Sequence, residues 1–153
     1  MSKRINYINI APKAMDILYT QEAYFHEQFR QSDTMNMTIW ELVKLRVSQI
    51  NQCAFCIDMH SKDALKMGEK PERIWGLSAW KDMPFYSDAE RVALALAEQL
   101  TAGQPVEDEA YQLTLNTFGD KAMVNLTLAI NAINSWNRVV KVFKPTVGLY
   151  QPK

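Results

Sequence analysis

The stretch TIWELVKLRVSQINQCAFCIDMHSKDALKM, residues 38–67, decides the fold class. In its first half Ile39, Leu42, Val43, Val47 and Ile50 recur at helical spacing and form one apolar stripe. Thr38, with Glu41 three residues on, has the form of a capping box, which predicts a helix from about Thr38 to Asn51. Asn51 and Gln52 read as a short break. A further helix is expected from Cys53 to about Met67, with Gly68 placed to close it. On that helix Cys53, Cys56, Ile57, His60, Ala64 and Met67 share about a third of the circumference, opposite Asp58, Lys62 and Lys66. Both sulfurs and the imidazole are therefore expected on the core-facing stripe, with Cys56 and His60 one turn apart.

The same period recurs along the rest of the chain, and strand signals are poor. Pro12 opens a helix over about Lys13 to Phe29, and Ser32, Asp33 and Asn36 mark a break. Pro71 opens a short helix through Trp75, and Trp80 to Tyr86 reads as connection. Ser87-Asp88-Ala89-Glu90 is a second capping box, leading a helix to about Thr101 that Gly103 and Pro105 end. Glu107 to Phe118 is closed by Gly119, and Asp120 to Phe143 stops before Pro145. Asn131, Asn134 and Asn137 are weak helix formers, which predicts a kink or frayed turn there. The expected class is all-α, with six or seven helices in one compact domain over residues 1–153.

Composition narrows the function classes. Lys plus Arg and Asp plus Glu number 17 each, so no basic footprint points to nucleic acid. No apolar run approaches about 18 residues, so no membrane partner is expected. The start, Met1 to Tyr7, lacks an apolar signal-peptide region, and a cytoplasmic setting is expected. In such a reducing compartment two cysteines at C-x-x-C spacing point to redox or metal chemistry rather than to a permanent staple.

The cysteine helix suits thiol chemistry. A cysteine at a helix N-terminus faces unpaired N–H groups and the positive end of the dipole, which lowers its pKa. A neighbouring imidazole can accept the thiol proton. Two cysteines three apart in a first turn can reach disulfide distance and cycle between dithiol and disulfide. The rival is zinc, with Cys53, Cys56 and His60 as ligands and His26 or Glu41 as a fourth, but one short helix would have to converge three of them. Glu41 has two readings, a capping carboxylate or a proton acceptor set against His60. The four tryptophans, Trp40, Trp75, Trp80 and Trp136, read as core side chains or as an interface between subunits.

Glu41, eleven residues, Cys53-x-x-Cys56, three residues and His60 together resemble the signature of the alkylhydroperoxidase D family, within the carboxymuconolactone decarboxylase superfamily. The text from Trp40 to Thr101 carries the likeness, including Ser87-Asp88-Ala89-Glu90-Arg91-Val92-Ala93-Leu94-Ala95. The resemblance implies an all-helical fold that assembles into rings, as trimers or hexamers. It implies a thiol peroxidase acting on hydroperoxides, with Cys56 peroxidatic, Cys53 resolving, and Glu41 and His60 as proton relay. It implies a dithiol reductant protein of lipoyl or thioredoxin type; no cofactor and no metal are expected. Phe55 stands where well-studied members carry a second histidine. A decarboxylase of the same superfamily, or a redox-responsive assembly without turnover, are the alternatives. For the decarboxylase, Arg46, Arg91 and Arg138 are too scattered to gather a dicarboxylic acid.

Overall fold

In α3, Met37–Ile50, nearly every side chain from Ile39 to Ser48 is buried, Arg46 being the half-buried exception. A helix covered on all sides must lie at the centre of its fold. The structure, a computed structural model, describes residues 4–152. Around α3 stand α1 (Tyr7–Ile10), α2 (Pro12–Arg30), α4 (Ala54–Lys66), α5 (Pro71–Gly76), α6 (Asp88–Thr101), α7 (Asp108–Phe118) and α8 (Asp120–Phe143). A 3-10 turn, Leu77–Ala79, follows α5, and no strand occurs among the described residues. The architecture is all-α, as expected, with the single turn α1 added in front.

Two apolar clusters flank α3. On one side Val43 and Val47 pack with Phe25 and Phe29 of α2, Leu96 of α6, and Leu126, Ile130 and Ile133 of α8. On the other, Leu42 and Leu45 pack with Ala64 of α4, Ile74, Leu77, Trp80 and Leu94. Truncating a fully buried leucine such as Leu42 to alanine in such a setting costs roughly 2–5 kcal/mol. Of the tryptophans, Trp40 and Trp80 are core, Trp136 is half-buried and Trp75 is 78% exposed.

The expected cap of α3 is corrected. Asn36, not Thr38, is the N-cap, and its side chain accepts from the Ile39 N–H at 3.1 Å. Glu41 is thereby freed from capping duty and lies in the second turn, buried. The second expected box is present: Ser87 and Glu90 cap α6 reciprocally. Arg91 donates to the carbonyls of Trp80, Lys81, Met83 and Tyr86, which pins the connection between the 3-10 turn and α6.

The asparagines do not interrupt α8, which runs as one helix from Asp120 to Phe143. Asn134 and Asn137 face inward instead. The Asn51 amide donates to both of their side-chain oxygens at 2.9 Å, and Asn137 donates to the Ser48 hydroxyl at 3.1 Å. Their poor intrinsic propensity is offset by these buried hydrogen bonds, which tie the end of α3 to α8.

The junction from α3 to α4 is a Schellman turn. The Gln52 N–H donates to the Gln49 carbonyl and the Cys53 N–H to the Ser48 carbonyl, both at 3.0 Å. Gln52 takes φ +53°, a left-handed conformation normally given to glycine. This tight link makes Cys53 the N-cap of α4, one residue ahead of the helix itself. Gln52→Gly should therefore raise stability by up to about 1 kcal/mol, and Gln52→Val should lower it. Urea unfolding midpoints measure both. A drop for the glycine variant would mean that the glutamine side chain, not the backbone, holds the junction.

Candidate functional site

The packing of α4 against α3 brings the expected residues together. His60 Nδ1 lies 3.1 Å from Glu41 Oε2, and Lys44 Nζ lies 2.5 Å from Glu41 Oε1. All three side chains are buried. Lys44 sits one turn after Glu41 on the same helix, and its ammonium also stands 3.6 Å from the centroid of the Trp40 ring. Burial pushes the Glu41 carboxyl up, but Lys44 and the hydrogen bond and charge of His60 outweigh it and hold the pKa down to about 2. Glu41 is thus a fixed anion at neutral pH. It orients the imidazole through Nδ1, and His60 Nε2 is buried with no hydrogen-bond partner.

Cys53 and Cys56 are joined as a disulfide, with their Cα atoms 5.3 Å apart. Both are 1% exposed and pack against Phe55 and Val140 of α8. The expected stripe holds for Cys56, His60 and Ala64, all buried, whereas Met67 at its end is 47% exposed.

A cavity of about 390 Å³ opens beside these groups. Cys56, His60 and Lys44 line it, with apolar walls from Phe55, Ile133, Trp136 and Val140. Sequence reasoning missed four of its polar lining residues: Lys44, Glu22, Asp63 and Tyr150. The Tyr150 hydroxyl donates to Asp63 Oδ1 at 2.8 Å. Burial and the Asp63 carboxylate push the Tyr150 phenol up to about 12. Tyr150 belongs to a C-terminal segment strapped over α4, where Lys62 Nζ donates to the Gly148 and Tyr150 carbonyls and the Gly148 N–H donates to Asp58. No local signal marks these residues. Only Lys44 was within reach, as a cation one turn from Glu41 on the same helix.

Glu41, His60 and Asp63 bring candidate ligand atoms within 4.8 Å of one another. Lys44, however, already supplies the positive charge that Glu41 faces, and Tyr150 engages Asp63, so two of the three carry partners of their own. His26 stands elsewhere, exposed and edge-on to Trp40. The scattered arginines stay scattered. Arg46 bonds Glu98, Arg138 bonds Asn134, and no arginine lines the cavity. No helix among the described residues is long and apolar enough to cross a membrane.

A family model described as carboxymuconolactone decarboxylase matches residues 21–99. The chain is 45% identical over 141 residues to the uncharacterized protein YdfG of Bacillus subtilis, covering 91% of this chain and 92% of that one. It is 28% identical over 106 residues to the uncharacterized protein YnjA of Escherichia coli, covering 69% and 58%. Among solved structures, it matches a protein of unknown function from Agrobacterium tumefaciens, named as a candidate antioxidant defence protein AhpD. That match has TM-score 0.87 and 32% identity and covers 97% of this chain and all of the other. An uncharacterized peroxidase-related protein from Silicibacter shares the fold at TM-score 0.72 and 16% identity, covering 94% and 83%.

Glu41→Gln leaves Lys44 buried without its counter-charge and should cost about 3–5 kcal/mol at neutral pH. Because the folded pKa of Glu41 is depressed, its contribution is complete above the ordinary value of 4.5 and is lost as pH falls towards about 2. Urea unfolding of both proteins across that range should show the gap closing as pH falls. A gap that stays constant would mean that Glu41 is not ionised in the fold.

Proposed function

The chain belongs to the carboxymuconolactone decarboxylase family and has an AhpD-like fold, and from that premise we propose that it is a dithiol peroxidase acting on hydroperoxides. One observation carries the reading. A cysteine of a bonded C-x-x-C pair and an imidazole with a free buried nitrogen line the same cavity.

The cycle begins with the reduced pair. His60, held through Nδ1 by Glu41, takes the Cys56 proton at Nε2 and leaves a thiolate. The thiolate sulfur attacks one peroxide oxygen, the O–O bond breaks, and the other oxygen leaves as alkoxide or hydroxide to be protonated. Cys56 is then a sulfenic acid, oxidised by two electrons while the peroxide is reduced by two. The Cys53 thiol condenses with it, forming the disulfide and water. A dithiol protein of lipoyl or thioredoxin type returns the pair to the reduced state by exchange. Glu41 acts in this scheme as an orienting anion rather than as a shuttle, since a carboxyl with a pKa of about 2 holds no proton at neutral pH.

We place this chemistry in the cytoplasm, where the pair would be kept reduced between turnovers. We also propose that the chain works as a homo-oligomer, for Ile17, Leu113 and Val124 leave apolar helix faces open at 71%, 55% and 58% exposure. A decarboxylase reading has less support. The lysine that lines the cavity is already paired with Glu41, and a dicarboxylic acid would find no second cation there.

Stopped-flow oxidation of the reduced protein by several hydroperoxides, with mass spectrometry of both cysteines, tests the proposal. Cys56→Ser should abolish trapping of a sulfenic acid, and Cys53→Ser should prolong it. Reaction no faster than that of a free thiol in solution would end the peroxidase reading.

A further inference from the structure

Glu22, in the cavity lining, and Glu41, behind His60 and Lys44, are two carboxyl groups whose surroundings push them in opposite directions. Glu41 is buried and fully committed to Lys44 and His60. Glu22 comes from α2, three residues after Tyr19, and both side chains line the same cavity as Cys56 and His60 of α4. Glu22 is half-buried, and no hydrogen bond or ion pair involves it among the described residues. The groups whose charges reach it are Lys44 and Glu41 of α3, His60 of α4, and His26 of its own helix. Asp63, Tyr7, Tyr19 and Tyr150 complete the titratable lining. Lys44 does not bond to Glu22, because its ammonium is held by Glu41 and the Trp40 ring.

We infer that Glu22 is the general acid of the site, an uncommitted carboxyl that delivers a proton to the leaving oxygen while Cys56 attacks the other. This deepens the peroxidase reading and rests on it. In the step, the Cys56 sulfur forms a bond to one peroxide oxygen, the O–O bond breaks, and the Glu22 carboxyl proton goes to the departing oxygen. The products are a sulfenic acid, an alcohol and the Glu22 carboxylate, which regains its proton from water. Burial raises the Glu22 carboxyl above its ordinary range, which keeps a larger protonated fraction available. A neighbouring pair of carboxyls driven apart in this way divides the labour, one staying charged and one exchanging protons. The assignment also answers the presence of Phe55 beside Cys56. The apolar ring brings no proton to the cavity, and Glu22 brings one from α2.

The test compares the wild type with Glu22→Gln for sulfenic acid formation from an alkyl hydroperoxide and from peracetic acid. An alkoxide needs a proton to leave, whereas acetate does not. Glu22→Gln should slow the alkyl hydroperoxide roughly 10²-fold and leave the peracid within about twofold. Glu22→Asp should recover part of the loss. The wild-type rate towards the alkyl hydroperoxide should carry a decline as pH rises through the Glu22 titration, and Glu22→Gln should lack it. Equal slowing of both oxidants would make Glu22 merely structural and overturn the inference, as would no slowing of either. A wild type inert to both oxidants would instead overturn the peroxidase reading, and this assignment with it.

Discussion

The site depends on one buried carboxylate. Removing Glu41 from water carries a desolvation penalty of several kcal/mol, which only close and well-directed partners can offset. Lys44 Nζ at 2.5 Å and His60 Nδ1 at 3.1 Å are those partners, and they come from α3 itself and from α4. The triad therefore fixes more than charge. It sets the rotation of α4 about its own axis, because His60 must meet Glu41, and this rotation carries Cys56 to the cavity wall one turn away. It also aims the free imidazole nitrogen, since Nδ1 is engaged and Nε2 is not. With Glu41 held ionised, the proton-handling capacity of the cavity passes to its other groups.

Much of this was legible in the sequence, and the part that was not has physical causes. The repeating apolar residues of 38–67 and the Ser87–Glu90 box give the helices because periodicity and capping are local properties. Cys56 and His60 could be placed on one face because both lie on one helix. Glu41 could be paired with His60 only through the family spacing. Its local environment suggested a cap, and the stronger cap at Asn36 removes that duty. The asparagines of α8 show the limit of propensity as a guide. Read singly they weaken a helix, while in place Asn134 and Asn137 are satisfied by Asn51 and Ser48 from a segment more than 80 residues away. Glu22, Asp63 and Tyr150 were invisible for the same reason, since the neighbours that give them meaning come from other helices or from the C-terminal strap.

The relatives sharpen what is particular to this chain. The family match places the fold, and the Agrobacterium structure follows it over its whole length. Neither assigns a use to the pairing of Lys44 with Glu41 or to the open carboxyl of Glu22. Both arise where residues of α2, α3 and α4 meet at one cavity, with a paired anion against the imidazole and an unpaired carboxyl in the lining.

The cysteine pair sits three residues apart at a helix start. A crosslink across so short a loop removes little freedom from the unfolded chain, because the entropy it restricts grows with the length of the loop it closes. The helices around it are held by the apolar clusters on both sides of α3, none of which needs the sulfur–sulfur bond. Opening or closing that bond therefore shifts the balance between folded and unfolded chains less than breaking a crosslink over a long loop would.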